Sequence, residues 1–225
     1  RSMQGIEKQV GTMNASLSRM EGVAKSAFAG LAASLSVGAF AGFIKSAINA
    51  ADEIGKMSQK VGVAVEDLSK LSYAAGLSDV SNEQLSVGLK QLSKNLIEAT
   101  SGSKEQSAAF RALGVETQNT DGTMRKTIDV FRDISDKFAG MEDGSTKTAI
   151  AMKLFGKSGA DLIPLLNSGA EGLQTMAIEA EKLGVVITEK TAKAAEEFND
   201  NLTRLTAQSK GLGIEIANLA LGPMN

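Results

Sequence analysis

A heptad stripe at each end of the chain constrains its fold more than any other feature. Met3, Ile6, Val10, Met13, Leu17, Met20, Ala24, Ala27 and Leu31 recur at alternating spacings of three and four. That rhythm keeps one apolar seam along a helix and asks for a partner helix to cover it. Polar Glu7, Asn14 and Glu21 flank the seam. The rhythm returns in Ala195, Phe198, Leu202, Leu205, Leu212, Ile216 and Leu219, with Ser209 in the gap. The first seam is soft, built of Met and Ala rather than Leu and Ile. Gly211 and Gly213 weaken the second by up to ~1 kcal/mol each relative to Ala. An ordinary amphipathic helix packed on its own domain would explain the first stripe equally well.

Behind the first stripe lies an uncharged run from Ser26 to Ile44, bounded by Lys25 and Lys45. As a helix it would nearly cross a bilayer core of about 30 Å. Gly38 and Gly42 give it a small-xxx-small spacing that lets helices approach closely. Phe28, Phe40 and Phe43 are its largest side chains, and Phe28, Gly38, Phe40, Gly42 and Phe43 are the expected membrane or close-packing segment. The run is rich in Ala, Gly and Ser and only weakly apolar, so three readings compete. It is a transmembrane helix, a tightly packed bundle helix, or a segment shielded by partners until released. It begins too far into the chain, and lacks too clear a cleavage site, to read as a secretory signal.

From Ala47 to Ile187 the texture changes to short helices punctuated by Gly and Ser. Ser81-Asn82-Glu83-Gln84 is a capping box opening a helix that carries Leu85, Leu89, Leu92 and Leu96. A helix over 104–113 ends at Gly114. Val115 to Arg125, with Asp121-Gly122 at its centre, reads as a small β-hairpin. Helices follow over 126–139, 145–155, 158–167 and 170–183, and Val185-Val186-Ile187 is an extended piece placed to pair with the hairpin. Thr188 is the expected N-cap of the last helix. The expected fold class is thus all-α: short helices between two long helical arms, with a minor β-hairpin. Three segments result: 1–46, heptad helix and uncharged helix; 47–187, compact helical domain; 188–225, C-terminal heptad helix.

Composition excludes most site chemistry. The 225 residues contain no His, Cys or Trp, and one Tyr, Tyr73. Ser-His-Asp and Cys-His triads and His- or Cys-ligated metals are therefore impossible within the chain. Aromatics at 4% argue against a sugar cleft or base-stacking platform. A net charge of −2 leaves no electrostatic footprint for nucleic acid. Only carboxylate, Lys, Ser/Thr or Tyr chemistry stays open, and neither a cofactor nor specific nucleic-acid binding is expected. Arg1 in the first place, and Gly222-Pro223-Met224-Asn225 directly behind an apolar run, lead us to expect a piece of a longer polypeptide.

Four motifs invite sharper readings and lose to plainer ones. Gly156-Lys157-Ser158 suggests a phosphate loop, but the Gly required five residues earlier is Ala151, and the preceding residues look helical. A helix-to-helix corner fits better. Asn119, Asp121 and Gly122 mimic half a calcium loop whose twelfth position would be Ile128, which cannot coordinate. Residues 66–94 have a helix-turn-helix rhythm, yet the second helix offers only Lys90 and Lys94 as groove-facing cations. The carboxylate pairs Glu66/Asp67, Glu142/Asp143 and Glu196/Glu197 belong on solvated helix faces unless a cleft opposes them.

The stretch DKFAGMEDGSTKTAIAMKLFGKSGADLIPLLNSGAEGL, residues 136–173, resembles phage tail tape-measure proteins. So do residues 46–78, 112–141 and 191–205, in the same order and spacing; MKLFGKSGADLIPLL is the most specific block. The resemblance implies a structural, non-enzymatic virion protein lying in the lumen of the tail tube. It implies that its length sets tail length and that it is released at genome ejection, with transient contact with the host membrane. The implied partners are the tail tube protein, tail assembly chaperones, tail tip or baseplate proteins, and further copies of itself, often three. The residues for helix association are Met3, Ile6, Val10, Met13, Leu17, Met20, Leu202, Leu205, Leu212, Ile216 and Leu219. A ruler of continuous helix would convert 225 residues into about 340 Å, but residues 47–187 carry too many turn signals for one rod. A membrane-inserting or pore-forming helical effector is the rival expectation.

Overall fold

The computed structural model describes the backbone of residues 37–221 and the side chains of residues 42–211. Within them the chain is helical, with no β-strand. The helices are α1 (Val37–Val61), α2 (Val65–Leu77), α3 (Asn82–Thr100), α4 (Lys104–Ala112), α5 (Thr127–Ala139), α6 (Ser145–Phe155), α7 (Ile163–Leu166), α8 (Gly169–Leu183) and α9 (Glu189–Leu221), with a 3-10 turn at Gly156–Gly159. Contacts divide the described residues into two units. One holds α1 as far as Gly55 together with α9; the other is Lys56–Thr188. The helix α1 runs unbroken across residues 46 and 47.

In the second unit α3 is the axle. Leu85, Leu89, Leu92 and Leu96 recur at spacings of four and three, and all are fully buried. The capping box forms as the sequence predicts: Ser81 Oγ accepts from Gln84 N–H, and the Gln84 side chain accepts from Ser81 N–H. Two orphan donors at the helix start are thereby satisfied. Around α3 pack α2, α4, α5, α6 and the 3-10 turn, while α8 lies against α2 and α5. Phe110, Phe131, Phe138 and Phe155 fill the interior. The rings of Phe131 and Phe155 meet edge to face at 5.8 Å, a geometry favoured by the ring quadrupoles.

One polar side chain fixes how α6 meets α3. Asn95 is 1% exposed in the middle of α3's packed face. Its Nδ2 donates to the carbonyls of Lys153 at 3.1 Å and Leu154 at 2.9 Å. Those carbonyls belong to the last turn of α6 and have no partner within their own helix. Gln91 Nε2 donates to Asn95 Oδ1 at 2.9 Å, which orients the amide. The chain then turns through Gly156, at φ +70°, and folds back so tightly that a Cβ on Gly159 would lie 2.2 Å from the Ala151 carbonyl oxygen. Only glycine fits there.

Three expectations are corrected. The β-hairpin at 115–125 is absent: the segment makes a single antiparallel bridge, Gln118 to Met124, around a turn. Asn119 N–H reaches Thr123 O and Arg125 N–H reaches Thr117 O, but nothing extends the ladder. From Glu116 to Met124 the residues are polar or exposed, so pairing buries no apolar face, and a lone hairpin is marginal in water. The third strand expected at Val185–Ile187 does not join it either; Ile187 N–H donates instead to Ser69 Oγ on α2 at 2.8 Å. The helix expected over 158–167 is interrupted, because Gly156–Gly159 winds as 3-10 and Pro164 sits in the first turn of the short α7.

Replacing Gly159 by Ala should destabilise the chain by about 3 kcal/mol, since the new methyl group meets backbone that cannot yield. Gly76→Ala, on the exposed end of α2 with open space around it, should instead stabilise by about 0.5 kcal/mol. Urea unfolding midpoints of the two variants check both signs.

Candidate helix-association site

The first unit pairs α1 with α9. On α1, Ile48, Ala51, Asp52 and Ile54 are buried; on α9, Ala192, Ala194, Ala195 and Asn201 are. Two contacts set the pairing. A Cβ placed on Gly55 would lie 3.0 Å from the Ala192 Cβ, so the helices approach closely where both side chains are smallest. Seven residues further along α9, Asn199 Nδ2 donates to Asp52 Oδ2 at 2.8 Å. Residue numbers fall along α1 as they rise along α9, so the two helices run antiparallel. Asp52 is 7% exposed. A carboxylate removed from water needs a donor aimed at it, and Asn199 supplies one.

The sequence-predicted association residues divide three ways. Leu202 and Leu205 are half-buried on α9. Leu212, Ile216 and Leu219 lie on α9, where the backbone alone is described. Met3, Ile6, Val10, Met13, Leu17 and Met20 lie outside the described residues, as does Phe28 of the uncharged run. Gly38 and Phe40 fall in the first turn of α1; Gly42 and Phe43 follow, both exposed, Phe43 at 41%. Among the described residues no helix is long and apolar enough to cross a membrane. The charges of Lys45, Asp52, Glu53, Lys56 and Lys60 interrupt α1 beyond the run.

Sequence reasoning missed the partner surface on α1. Ile44, Ile48, Ala51 and Gly55 follow spacings of four, three and four, the same rhythm as the flanking stripes. That signal was available, but the change of texture at Ala47 obscured it. The choice of Asp52 and Asn199 as a cross-helix pair left no trace in either helix alone.

The other motifs find plain places. Lys157 and Ser158 form the 3-10 turn after α6, and Gly156 packs on the Gln91 side chain. No strand precedes them, so no phosphate cradle exists there. The Asp121 carboxylate accepts from Thr123 N–H at 2.9 Å and Thr123 O–H at 2.6 Å. Those bonds, the hydroxyl first, hold its pKa below the ordinary 3.8. The helix-turn-helix rhythm is α2, the connection Ser78–Ser81 and α3. Asp67 faces Arg132 at 3.7 Å, and Lys70 pairs with Glu181. Between them α2, α5 and α8 leave a cavity of about 20 Å³, room for about one water. On α2 Tyr73 bonds Glu179; desolvation first, then that carboxylate, raises its pKa above 10.0. Among the described residues no group of three or more carboxylates gathers to hold a metal ion.

One buried cation stands out. Lys147, in the first turn of α6, has a side chain 3% exposed. Its Nζ donates to Met141 O and to Asp143 Oδ1, both at 2.9 Å. A cation near a helix N-terminus opposes the macrodipole, and here it is offset by tying down the loop between α5 and α6. The Lys147 hydrogen bond, then its charge, then the Asn167 side chain hold the Asp143 pKa below 3.8. This buckle sits at the heart of the 136–173 block, as does the Gly159 corner. Known proteins give no further guide: no family model matches the chain, and no curated protein or solved structure is detectably similar.

Lys147→Met should cost about 2 kcal/mol, because it strands the Met141 carbonyl. The folded chain favours ionised Asp143, so that stabilisation is complete above the ordinary carboxylate pKa and is lost as pH falls through the lower folded value. Below about pH 4, Asp143→Asn should therefore lose stability less steeply than the parent chain, with the Asp121 contribution remaining. Urea midpoints between pH 2 and 6 would expose the difference.

Proposed function

We propose that this chain is a segment of a phage tail tape-measure protein, structural rather than enzymatic, acting in the lumen of the tail tube. The observation that carries the reading is the 136–173 block, with its flanking stretches in the same order and spacing. The block's unusual residues have physical reasons to be specific. Gly156 and Gly159 make a corner no side chain tolerates, Lys147 is buried, and Leu154, Phe155, Leu162, Leu165 and Leu166 are fully buried. The helical character of α1 and α9 suits proteins that lie along a tube. In this reading the heptad stripes meet further copies of the chain, tail assembly chaperones before assembly, the tail tube protein during it, and tip or baseplate proteins at its end. The uncharged run Ser26–Ile44 is the part suited to meeting the host membrane at ejection.

The same run motivates a rival, a membrane-inserting or pore-forming effector. Two measurements separate them. Disrupting the gene in the phage that carries it should leave particles with no tails or tails of uncontrolled length in electron micrographs; normal tails would end the tape-measure reading. The folded 225-residue chain should leave dye-loaded vesicles intact, whereas prompt leakage would favour the effector.

A further inference from the structure

The antiparallel pairing of α1 with α9 has a consequence for length. Asp52 and Asn199 are 147 residues apart in sequence, yet they share a hydrogen bond. Wound as one continuous helix, that stretch would cover about 220 Å. Folded, it returns to within one helix-to-helix spacing, about 8–10 Å, of where it began. We propose that the Gly55–Ala192 approach and the Asp52–Asn199 bond form a clamp that closes residues 56–188 into a length-neutral insertion. The chain enters on α1, leaves on α9 in the opposite direction, and gains no axial distance between the two contacts. The bearing on tail length rests on the tape-measure reading; the clamp itself does not.

The chemistry of the clamp suits a unique closed register. Gly55 and Ala192 permit close approach, since a Cβ on Gly55 would lie 3.0 Å from that of Ala192. Asp52 is buried, and its carboxylate accepts a hydrogen bond from the Asn199 amide. Sliding α9 by one residue moves that amide about 1.5 Å along the axis and ~100° around it, out of reach. Small residues thus supply proximity, and the polar pair supplies register. For residues 56–188 to serve as ruler, both contacts must open; while they hold, the segment between them is carried by the tape and not measured by it.

The chain contains no cysteine, so introduced thiols are the only ones present. Three double variants of the full chain test the clamp under mild oxidation: Gly55→Cys with Ala192→Cys, Asp52→Cys with Asn199→Cys, and Asp52→Cys with Glu189→Cys. An antiparallel clamp cross-links the first pair, whose Cβ positions lie 3.0 Å apart, faster than the second, and leaves the third reduced, at least ~10-fold slower than the first, because thiols on α-carbons more than about 7 Å apart are not bridged. A parallel pairing would instead join Asp52 and Glu189. Cross-linking of the third pair as fast as the first would overturn the proposal. So would reduced thiols in all three variants with undiminished helical circular dichroism.

A second test reads length directly. Residues 56–188 are replaced in the phage gene by a short helix-hairpin turn, which the neighbouring positions of Gly55 and Ala192 allow. Length-neutrality predicts tails unchanged in length. Shortening by about 200 Å, at ~1.5 Å per residue removed, would mean the segment is extended in the tube and the clamp open. Should removal of the whole gene leave tails normal, the tape-measure reading falls, and the thiol pairs alone decide the clamp.

Discussion

The compact unit depends on one polar contact inside an apolar seam: Asn95 on α3 holding the last carbonyls of α6. A buried amide is costly unless its hydrogen bonds are made, and helix-end carbonyls are costly unless something donates to them. Each cost here cancels the other. Leucines at positions 85, 89, 92 and 96 could slide against α6 with little penalty, since apolar contact has no direction. The amide cannot slide. Once α6 is registered on α3, Phe155 meets Phe131 edge to face and the chain has only the space of the Gly156–Gly159 turn in which to reverse. The close approach at Gly159 is thus a consequence of where Asn95 places α6.

Lys147 plays a complementary part at the other end of α6. Its charge lies where the helix macrodipole disfavours it, and its stem is buried. What compensates is geometry: one ammonium satisfies a loop carbonyl and a carboxylate that the turn between α5 and α6 brings to it. With Asn95 at the C-terminus and Lys147 at the N-terminus, both ends of α6 are held by polar contacts, though its N-cap residue, Gly144, makes no side-chain cap. Short helices need such anchors, because eleven residues are too few to be stable on propensity alone.

Much of this was legible because local rules and the fold agree. The leucine spacing of α3, its Ser81–Gln84 box, and the helix limits of α5, α6 and α8 follow from signals within a few residues. The hairpin was misread for the same reason: Asp121-Gly122 marks a turn, but a strand also needs an apolar face and a neighbour, and residues 116–124 have neither. The break at Gly159 was invisible because its cause, the Ala151 carbonyl, depends on the packing of α6 against α3. The Asp52–Asn199 pair was hidden more deeply still. Each residue looks like an ordinary polar position on its own helix, and only the crossing of two distant segments gives it meaning.

That crossing also explains how soft seams suffice. The buried residues of α1 and α9 are mostly small, Ala51, Ala192, Ala194 and Ala195 among them, and in a free coiled coil such a seam would specify neither register nor direction. Within one chain the connection through residues 56–188 keeps α1 and α9 in each other's vicinity, so pairing does not require a strong interface. A small-residue contact and one directional bond then choose among the registers that the apolar stripe permits. The close approach of Gly55 and Ala192 and the directional Asp52–Asn199 bond give the pairing its register through geometry.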